Sequence, residues 1–523
     1  MENTDLIVLW GSNAREAHPI MFHRMLTGKR NGAEMIVVDP RHTSSAAFAD
    51  LWLGLDVGSD IALANAVGRE IIAQDLHNKE FIANATEGFD EYTASVDRYT
   101  LDYAEEITGV PAEGIAELAR TYAKAPSAIL CWTLGITEHH TAVENVFSLI
   151  NLALLCGHVG RYGSGLCPLR GQNNVQGGGD MGALPNRLPG FQSVEDPAIR
   201  SRFESVWGAP VPPKSGWHLS QMFEAMESGD LRCLYVIGEN PADSEANAAH
   251  ARHLLTGLDH LVVQDIRLTS TAKLADVVLP AAASFAETTG TVTNSERRVQ
   301  LVRAALEPPG EAKDDLAIVS GVASEMGTDW GEVTAEELWD ELRTLSPMHT
   351  GMSYERLEAN SGLRWPCGGE DDTGSLFLHG RLWDRPVSGA RAAFTFAQWR
   401  PPVDELTEEY PIRLTTGRRL DSFNTGVQSG AYESPIRNRE ALDINAADAQ
   451  KLGIADGEIV RVSSRRGSLE TPVRIAPSVH EGLAFLTFHF ADQVDTNLLV
   501  PDDWDPMSGT SEFKAAAIRI EKI

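Results

Sequence analysis

Two segments far apart in the chain carry the same succession of apolar and polar positions. The first is LIVLWGSN (Leu6 to Asn13), an apolar run broken by Gly11, then a helical-looking stretch, then MIVVDPRHTSSAAFADLWL (Met35 to Leu53). The second is LYVIGENP (Leu234 to Pro241), followed by LVVQDIRLTSTAKLADVVL (Leu261 to Leu279). Aligned on Asp39 and Asp265, an offset of 226, positions 39 to 53 carry eight identities in fifteen: Asp39, Arg41, Thr43, Ser44, Ala46, Ala49, Asp50 and Leu53. The Gly11/Gly238 and Asn13/Asn240 pairs match at an offset of 227. Short Val/Ile/Leu runs bounded by glycine predict buried parallel strands, and parallel strands need a crossover that the intervening helical stretch supplies. Each copy therefore predicts a strand, a glycine turn, a helix, and a second strand ending on an acid.

Between the copies the pattern predicts helix over roughly residues 60–148, with Thr108 and then Pro111 as helix-start punctuation. Residues 157–182 hold nine glycines in 26 positions, which predicts a long functional loop. Residues 310–400 are mixed and acidic. From Tyr410 the pattern turns to short alternating runs: IRLTT, EIVRVSS, SLETPVRIA, LAFLTFHF and AAIRIEKI. Among them INAADAQKLG predicts one helix, capped by Asn445 and stopped at Gly453. The fold class that follows is α/β. Two related doubly wound nucleotide-binding lobes (1–172 and 173–310) precede a mixed segment (311–400) and a C-terminal β-barrel (401–523), six-stranded and double-psi-like as the family resemblance given below implies.

Composition narrows the function. Lys plus Arg is 44 against 74 for Asp plus Glu, a net charge of −30, which argues against non-specific nucleic-acid binding and docking on anionic lipid. No apolar run is long enough to span a bilayer and no signal peptide opens the sequence, so no membrane insertion and a cytoplasmic location are expected. The five cysteines, 131, 156, 167, 233 and 367, form no CxxC, which predicts reduced, buried thiols rather than a zinc or iron–sulfur site.

In parallel sheets ligands sit beyond the carboxyl ends of the strands. There Gly11 and Gly238 permit close approach of a phosphate to the backbone, and Asp39 and Asp265 can accept two hydrogen bonds from a purine edge or from ribose hydroxyls. Two such ends favour two nucleotides, one per lobe. Neither GSNAREAH nor GENPADSE contains G-x-G-x-x-G, and no Walker motif is present, which disfavours a nicotinamide dehydrogenase. The glycine-rich loop carries Arg170, Gln172, Asn173, Asn174 and Gln176. Arg170 can grip a small carboxylate bidentately or form a surface ion pair. His139 and His140, adjacent in sequence, read as supporting residues rather than metal ligands. Lys514 reads as a partner for a phosphate or ring carbonyl, or as a solvated lysine.

LRGQNNVQGGGDMGALP, with VVDPRHTSSAAFADLWL, TTGRRLDSFNTG and SGTSEFKAAAIRIE, resembles the catalytic subunit of molybdenum- or tungsten-dependent formate dehydrogenases, of the dimethyl sulfoxide reductase superfamily. The resemblance implies a bis-molybdopterin guanine dinucleotide cofactor carrying Mo or W, formate as substrate, and iron–sulfur and NAD-reducing partner subunits. It places Gly11, Asn13, Asp39, Arg41, Gly58, Ser59 and Asp60 in one guanine dinucleotide pocket, and Gly238, Glu239, Asn240, Ser244, Gln264, Asp265 and Asp315 in the other. Gln172, Arg418, Asn424, Asn497 and Lys514 would face the pterins, and Arg170 would hold the formate carboxylate. Family members also carry a four-Cys segment for a [4Fe–4S] cluster and a Cys or selenocysteine that ligates the metal, neither of which is found in these residues. The sequence thus resembles the C-terminal three-quarters of such a subunit, with an upstream part, read through a UGA codon, expected to precede it. The rival readings are another molybdenum oxidoreductase and a cofactor-free structural electron-transfer subunit.

Overall fold

A computed structural model of the chain describes residues 1–420 and 440–523. It separates into two compact units: residues 1–169, 243–251 and 377–523, and residues 170–242 and 252–376. This grouping differs from the four consecutive ranges read from the sequence, because the first lobe and the barrel share one unit.

In the first unit, five parallel strands form a sheet: β1 (Leu6–Trp10), β2 (Glu34–Val38), β3 (Leu51–Leu53), β4 (Ala128–Trp132) and β5 (Gly165–Pro168), in the order β3-β2-β1-β4-β5. All five residues of β1 are buried, as expected of a strand covered on both faces. Leu6, Val8 and Trp10 join one apolar cluster with helices α2 (Asp60–Ala73), α3 (Ala112–Lys124) and α4 (Ala142–Cys156). Ile7 and Leu9 join a second cluster with Phe22 and Met25 of α1 (Pro19–Arg30). Each such large side chain contributes roughly 1.5–3 kcal/mol on burial. The strand order reverses between β1 and β4, and a crevice at such a reversal is where open α/β sheets take their ligands.

Three expectations are corrected here. β4 lies inside the stretch read as helical; AILCW is a short apolar run whose periodicity does not distinguish a buried strand from a helix. Thr108 does not start a helix but ends one (Leu101–Thr108), with Gly109 left-handed after it, while Pro111 immediately precedes α3 as expected. The glycine-rich segment is partly regular, since it supplies β5 and the short helix Val175–Asp180.

The second unit repeats three strands of the first. β6 (Cys233–Ile237), β7 (His260–Asp265) and β8 (Val277–Pro280) are parallel, in the order β8-β7-β6, matching β3-β2-β1. The C-terminal residues close a barrel from β9 (Ile412–Gly417), β10 (Leu442–Ile444), β11 (Ile459–Ser463), β12 (Ser468–Ile475), β13 (Leu483–Thr487) and β14 (Ala516–Lys522), in the order β9-β13-β10-β12-β11-β14. Closure removes free edges and buries alternate residues such as Leu414, Leu442, Val460, Ala484 and Ile518. The Asn445 side chain accepts from the Ala447 N–H at 2.8 Å to start the helix Ala446–Leu452, and left-handed Gly453 ends it.

The turns after β1 and β4 meet through glycine. Gly11 has φ +58°, and a Cβ on Gly135 would stand 2.5 Å from the Gly11 carbonyl oxygen. Gly238, the counterpart of Gly11, has φ +65° and nothing within 4 Å of its Cβ position. Gly135→Ala is therefore expected to cost about 2–3 kcal/mol, through backbone shift. Gly238→Ala should cost only the positive-φ strain, about 1–2 kcal/mol. Thermal denaturation of the two variants checks the difference, and equal losses would contradict it.

Candidate cofactor-binding site

The repeat extends to individual hydrogen bonds. The Gly11 N–H donates to the Val38 carbonyl at 2.8 Å, and the Gly238 N–H to the Gln264 carbonyl at 2.8 Å. Asn13 Oδ1 accepts from the Ser45 hydroxyl at 2.8 Å; Asn240 Oδ1 accepts from the Thr271 hydroxyl at 2.7 Å. The Arg41 N–H donates to Asp39 Oδ1 at 3.0 Å, and the Arg267 N–H to Asp265 Oδ1 at 3.1 Å. Further on, Asp50 accepts from the Met35 N–H and Asp276 from the Leu261 N–H. Both asparagines thus fix the loop after the second strand against the glycine turn. Both aspartates sit at the carboxyl end of the second strand.

In the first lobe Asp39 is 7% exposed. Burial pushes its carboxyl up to about 6, against the pull of the Arg41 guanidinium and N–H. The Arg41 guanidinium lies 3.5 Å from the centre of the Phe485 ring, on β13. Beside it is a cavity of about 400 Å³ lined by Glu16, Arg41, Ser44, Arg419, Asp443 and Arg474. Asp443 accepts from Arg419 at 3.1 Å and from Arg474 at 2.7 Å. Three guanidiniums around one cavity suit a phosphate-bearing ligand. Arg419, Asp443 and Arg474 escaped sequence reasoning, since each stands as an ordinary charge on a barrel strand or its end.

The other expected residues of this lobe gather at the same end of the sheet. Gly58 is left-handed, and a Cβ there would meet Pro402 at 2.7 Å. The Ser59 hydroxyl donates to the Asp56 carbonyl at 2.6 Å, just ahead of α2. Asp60 opens α2 fully buried and accepts from Trp10 Nε1 at 2.8 Å. Burial raises its carboxyl above the ordinary value against the pull of His139 and the Trp10 N–H.

In the second unit Gly238, Asn240, Gln264, Asp265 and Asp315 come together. Gln264 is fully buried; it accepts from the Tyr235 hydroxyl and donates to Asp315, the first residue of the helix Asp315–Glu325. Asp265 is half-buried, and burial raises its carboxyl above the ordinary range. Glu239 lies in the turn beside Gly238. Ser244 groups with the first unit, where its carbonyl and that of Asp243 accept from Asn497 Nδ2 at 3.2 and 3.0 Å. Asn497 is 3% exposed and its Oδ1 has no partner.

Arg170 and Gln172 are exposed on the segment between β5 and the helix Val175–Asp180. Of the other polar residues there, Asn174 Oδ1 accepts from the Thr293 N–H and Gln176 donates to Asp180, so both serve the local fold. Arg418 Nη1 donates to the Ala17 carbonyl at 3.3 Å. Asn424 lies outside the described residues. No group of three or more His, Cys, Asp or Glu side chains among the described residues is placed to hold a metal ion.

A molybdopterin dinucleotide needs anion contacts for its phosphates, acceptors for its base and donors or acceptors for its ring. The arginine-lined cavity, the raised carboxyls of Asp39 and Asp265, and the unpartnered buried Ser12 Oγ and Asn497 Oδ1 fit that requirement.

Sequence reasoning missed a buried charge network. Glu512, 0% exposed, accepts from His139 Nδ1 at 2.9 Å and His140 Nδ1 at 2.8 Å. Lys514 is not solvated: it is 6% exposed and pairs with Glu138 at 2.6 Å. Burial raises Glu512, but the His139 charge and the hydrogen bonds from both histidines outweigh it and hold the carboxyl down at about 2. Burial likewise lowers His139, yet the Glu512 carboxylate prevails and the net shift is upward from 6.5. The Glu512 contribution to stability is present above its ordinary 4.5 and fades as pH falls toward about 2. The His139 contribution is present below 6.5 and fades as pH rises through the elevated value. Glu512→Gln is therefore expected to cost about 3 kcal/mol, with the largest deficit between 4.5 and 6.5. Denaturant unfolding across pH measures this; a deficit independent of pH would contradict it.

Residues 1–325 match the family model described as molybdopterin oxidoreductase, and residues 412–517 match the molydopterin dinucleotide binding domain. The chain is 42% identical over its whole length to the F420-dependent formate dehydrogenase 2 subunit alpha of Methanococcus maripaludis, of which it covers 77%. It is 38% identical to formate dehydrogenase H of Escherichia coli, covering 73% of that protein. The solved structure of acetylene hydratase from Pelobacter acetylenicus shares the fold at 22% identity, with a TM-score of 0.75 over all of this chain and 78% of that one. With its duplicated turns, acidic strand ends and closed barrel, this chain belongs to the molybdopterin oxidoreductases, in the family of the formate dehydrogenase alpha subunits.

Proposed function

We propose that this oxidoreductase converts formate to carbon dioxide, two electrons and a proton, using a Mo or W centre carried by two molybdopterin guanine dinucleotides. The observation that carries the reading is the Arg-Gly-Gln-Asn-Asn run, with Arg170 exposed on a glycine-flanked segment, in a chain 38–42% identical to formate dehydrogenase alpha subunits. When bound, the metal–pterin group supplies the two-electron redox chemistry that no side chain of the protein possesses. Asp39 and Asp265 each accept from the guanine edge of one nucleotide, Asn497 faces a pterin, and Lys514 does the same from within its pair with Glu138.

Arg170 holds the formate carboxylate through two parallel N–H···O bonds, which fixes the direction of the C–H bond. Its charge is felt by Asp180, whose carboxyl burial pushes up to about 6 and Arg170 draws down. Electrons leave to iron–sulfur clusters and then to partner subunits, in the cytoplasm.

A charge-assisted hydrogen bond is worth about 1.5–3 kcal/mol. Arg170→Lys keeps the charge and removes the fork, so KM for formate should rise at least tenfold while the nucleotide content stays unchanged. Steady-state oxidation of formate with an artificial electron acceptor measures this. The 523 residues alone, even cofactor-loaded, are expected to oxidise little or no formate; the reading fails if the holoenzyme purified from its native host does not oxidise formate, or if Arg170→Lys in that holoenzyme leaves KM where it was.

A further inference from the structure

Two of the five cysteines stand side by side in the first lobe's sheet. Cys131 is on β4 and Cys167 on β5, and the register pairs them directly, with Leu9 of β1 next in the same row. Directly opposed residues of a parallel pair point to the same face of the sheet. Both side chains accordingly join the apolar cluster of Ile7, Leu9, Phe22 and Met25 beneath α1. Neighbouring strands run about 4.8 Å apart, inside the roughly 4.4–6.8 Å between Cα atoms that a disulfide spans.

The two thiols differ in access and in acidity. Cys131 is 0% exposed, whereas Cys167 is partly exposed on the strand that forms the edge of the sheet. A hydrogen bond from Cys131 holds the Cys167 thiol below its ordinary value against the opposing effect of burial. The same bond, with burial, pushes the Cys131 thiol well up. A thiolate is the reactive form of cysteine, so Cys167 is the nucleophile of the pair. The other three cysteines are placed differently. Cys156 lies in α4 and Cys367 outside any strand, both buried as expected; Cys233 lies opposite His260 and is exposed, which corrects its expected burial. None of the three faces another cysteine across a sheet.

We infer that Cys131 and Cys167 are an oxidation site, at which a peroxide joins β4 to β5 through a disulfide. The Cys167 thiolate displaces hydroxide from hydrogen peroxide, forming an S–O bond and the sulfenic acid. The Cys131 sulfur then attacks the Cys167 sulfur, and the sulfenic hydroxyl leaves as water with the Cys131 proton. Two thiols thus lose two electrons and two protons, and the peroxide becomes two waters. The bond ties the edge strand, which leads into the glycine-rich segment, to the body of the sheet. The inference stands on the register and the shared cluster, and not on formate as substrate.

Hydrogen peroxide is added to the holoenzyme purified from its native host. Remaining thiols are then capped with iodoacetamide under denaturing conditions, and the unreduced peptides are analysed by mass spectrometry. A peptide pair linked through Cys131 and Cys167 should accumulate about tenfold or more faster than any oxidation of Cys156. Dithiothreitol should return both thiols. In Cys131→Ala the Cys167 thiol, without a partner to trap its sulfenic acid, should run on under excess peroxide to the sulfinic acid, which dithiothreitol does not reverse. Recovery of Cys131 and Cys167 as capped thiols while Cys233 is oxidised overturns the inference. So does a link from either to any other cysteine, a link that forms only in urea-unfolded protein, or full recovery of the Cys167 thiol from Cys131→Ala by dithiothreitol.

Discussion

A carboxylate buried at the end of a parallel strand is costly unless donors meet it. Asp39 is held there at 7% exposure with its carboxyl raised to about 6, and the Arg41 side chain and N–H offset part of that cost. Asp265 occupies the equivalent place with an equivalent backbone donor, Arg267. Retaining the same unfavourable group twice, each time behind a left-handed glycine and an asparagine that ties two loops together, is what a pair of ligand sites requires.

The barrel contributes charge to the first of them. Arg419, Asp443 and Arg474 line the cavity beside Arg41, whose guanidinium lies over Phe485 of β13. Glu512, on the loop leading into β14, ties the barrel to the turn after β4 through His139 and His140. The fold thus joins the lobe and the barrel around buried polar groups, an arrangement that tolerates the loss of neither partner.

Much of this was legible in the sequence because the repeat is a comparison the chain makes with itself. Identity at Asp39 and Thr43 with the second copy marked hydrogen-bonding roles that the structure shows in pairs. The barrel strands were readable as alternating runs, except three-residue β10, too short to show a period. β4 was hidden because AILCW sits among helices and is apolar throughout. The Glu512 network could not be read: His139 and His140 are some 370 residues from their carboxylate, and contacts that distant leave no local signal. For Lys514 the sequence left open a phosphate or ring-carbonyl partner and a solvated side chain; its pair with Glu138, distant in sequence, leaves no local signal.

The central claim is that each lobe holds one purine nucleotide by its acidic strand end. Its most direct test is the amount of guanosine monophosphate that acid releases from the purified, cofactor-loaded protein and from Asp39→Asn and Asp265→Asn. The account requires two equivalents per chain in the unaltered protein and a loss of about one in each variant. Two equivalents in all three proteins, or none in the first, would contradict it.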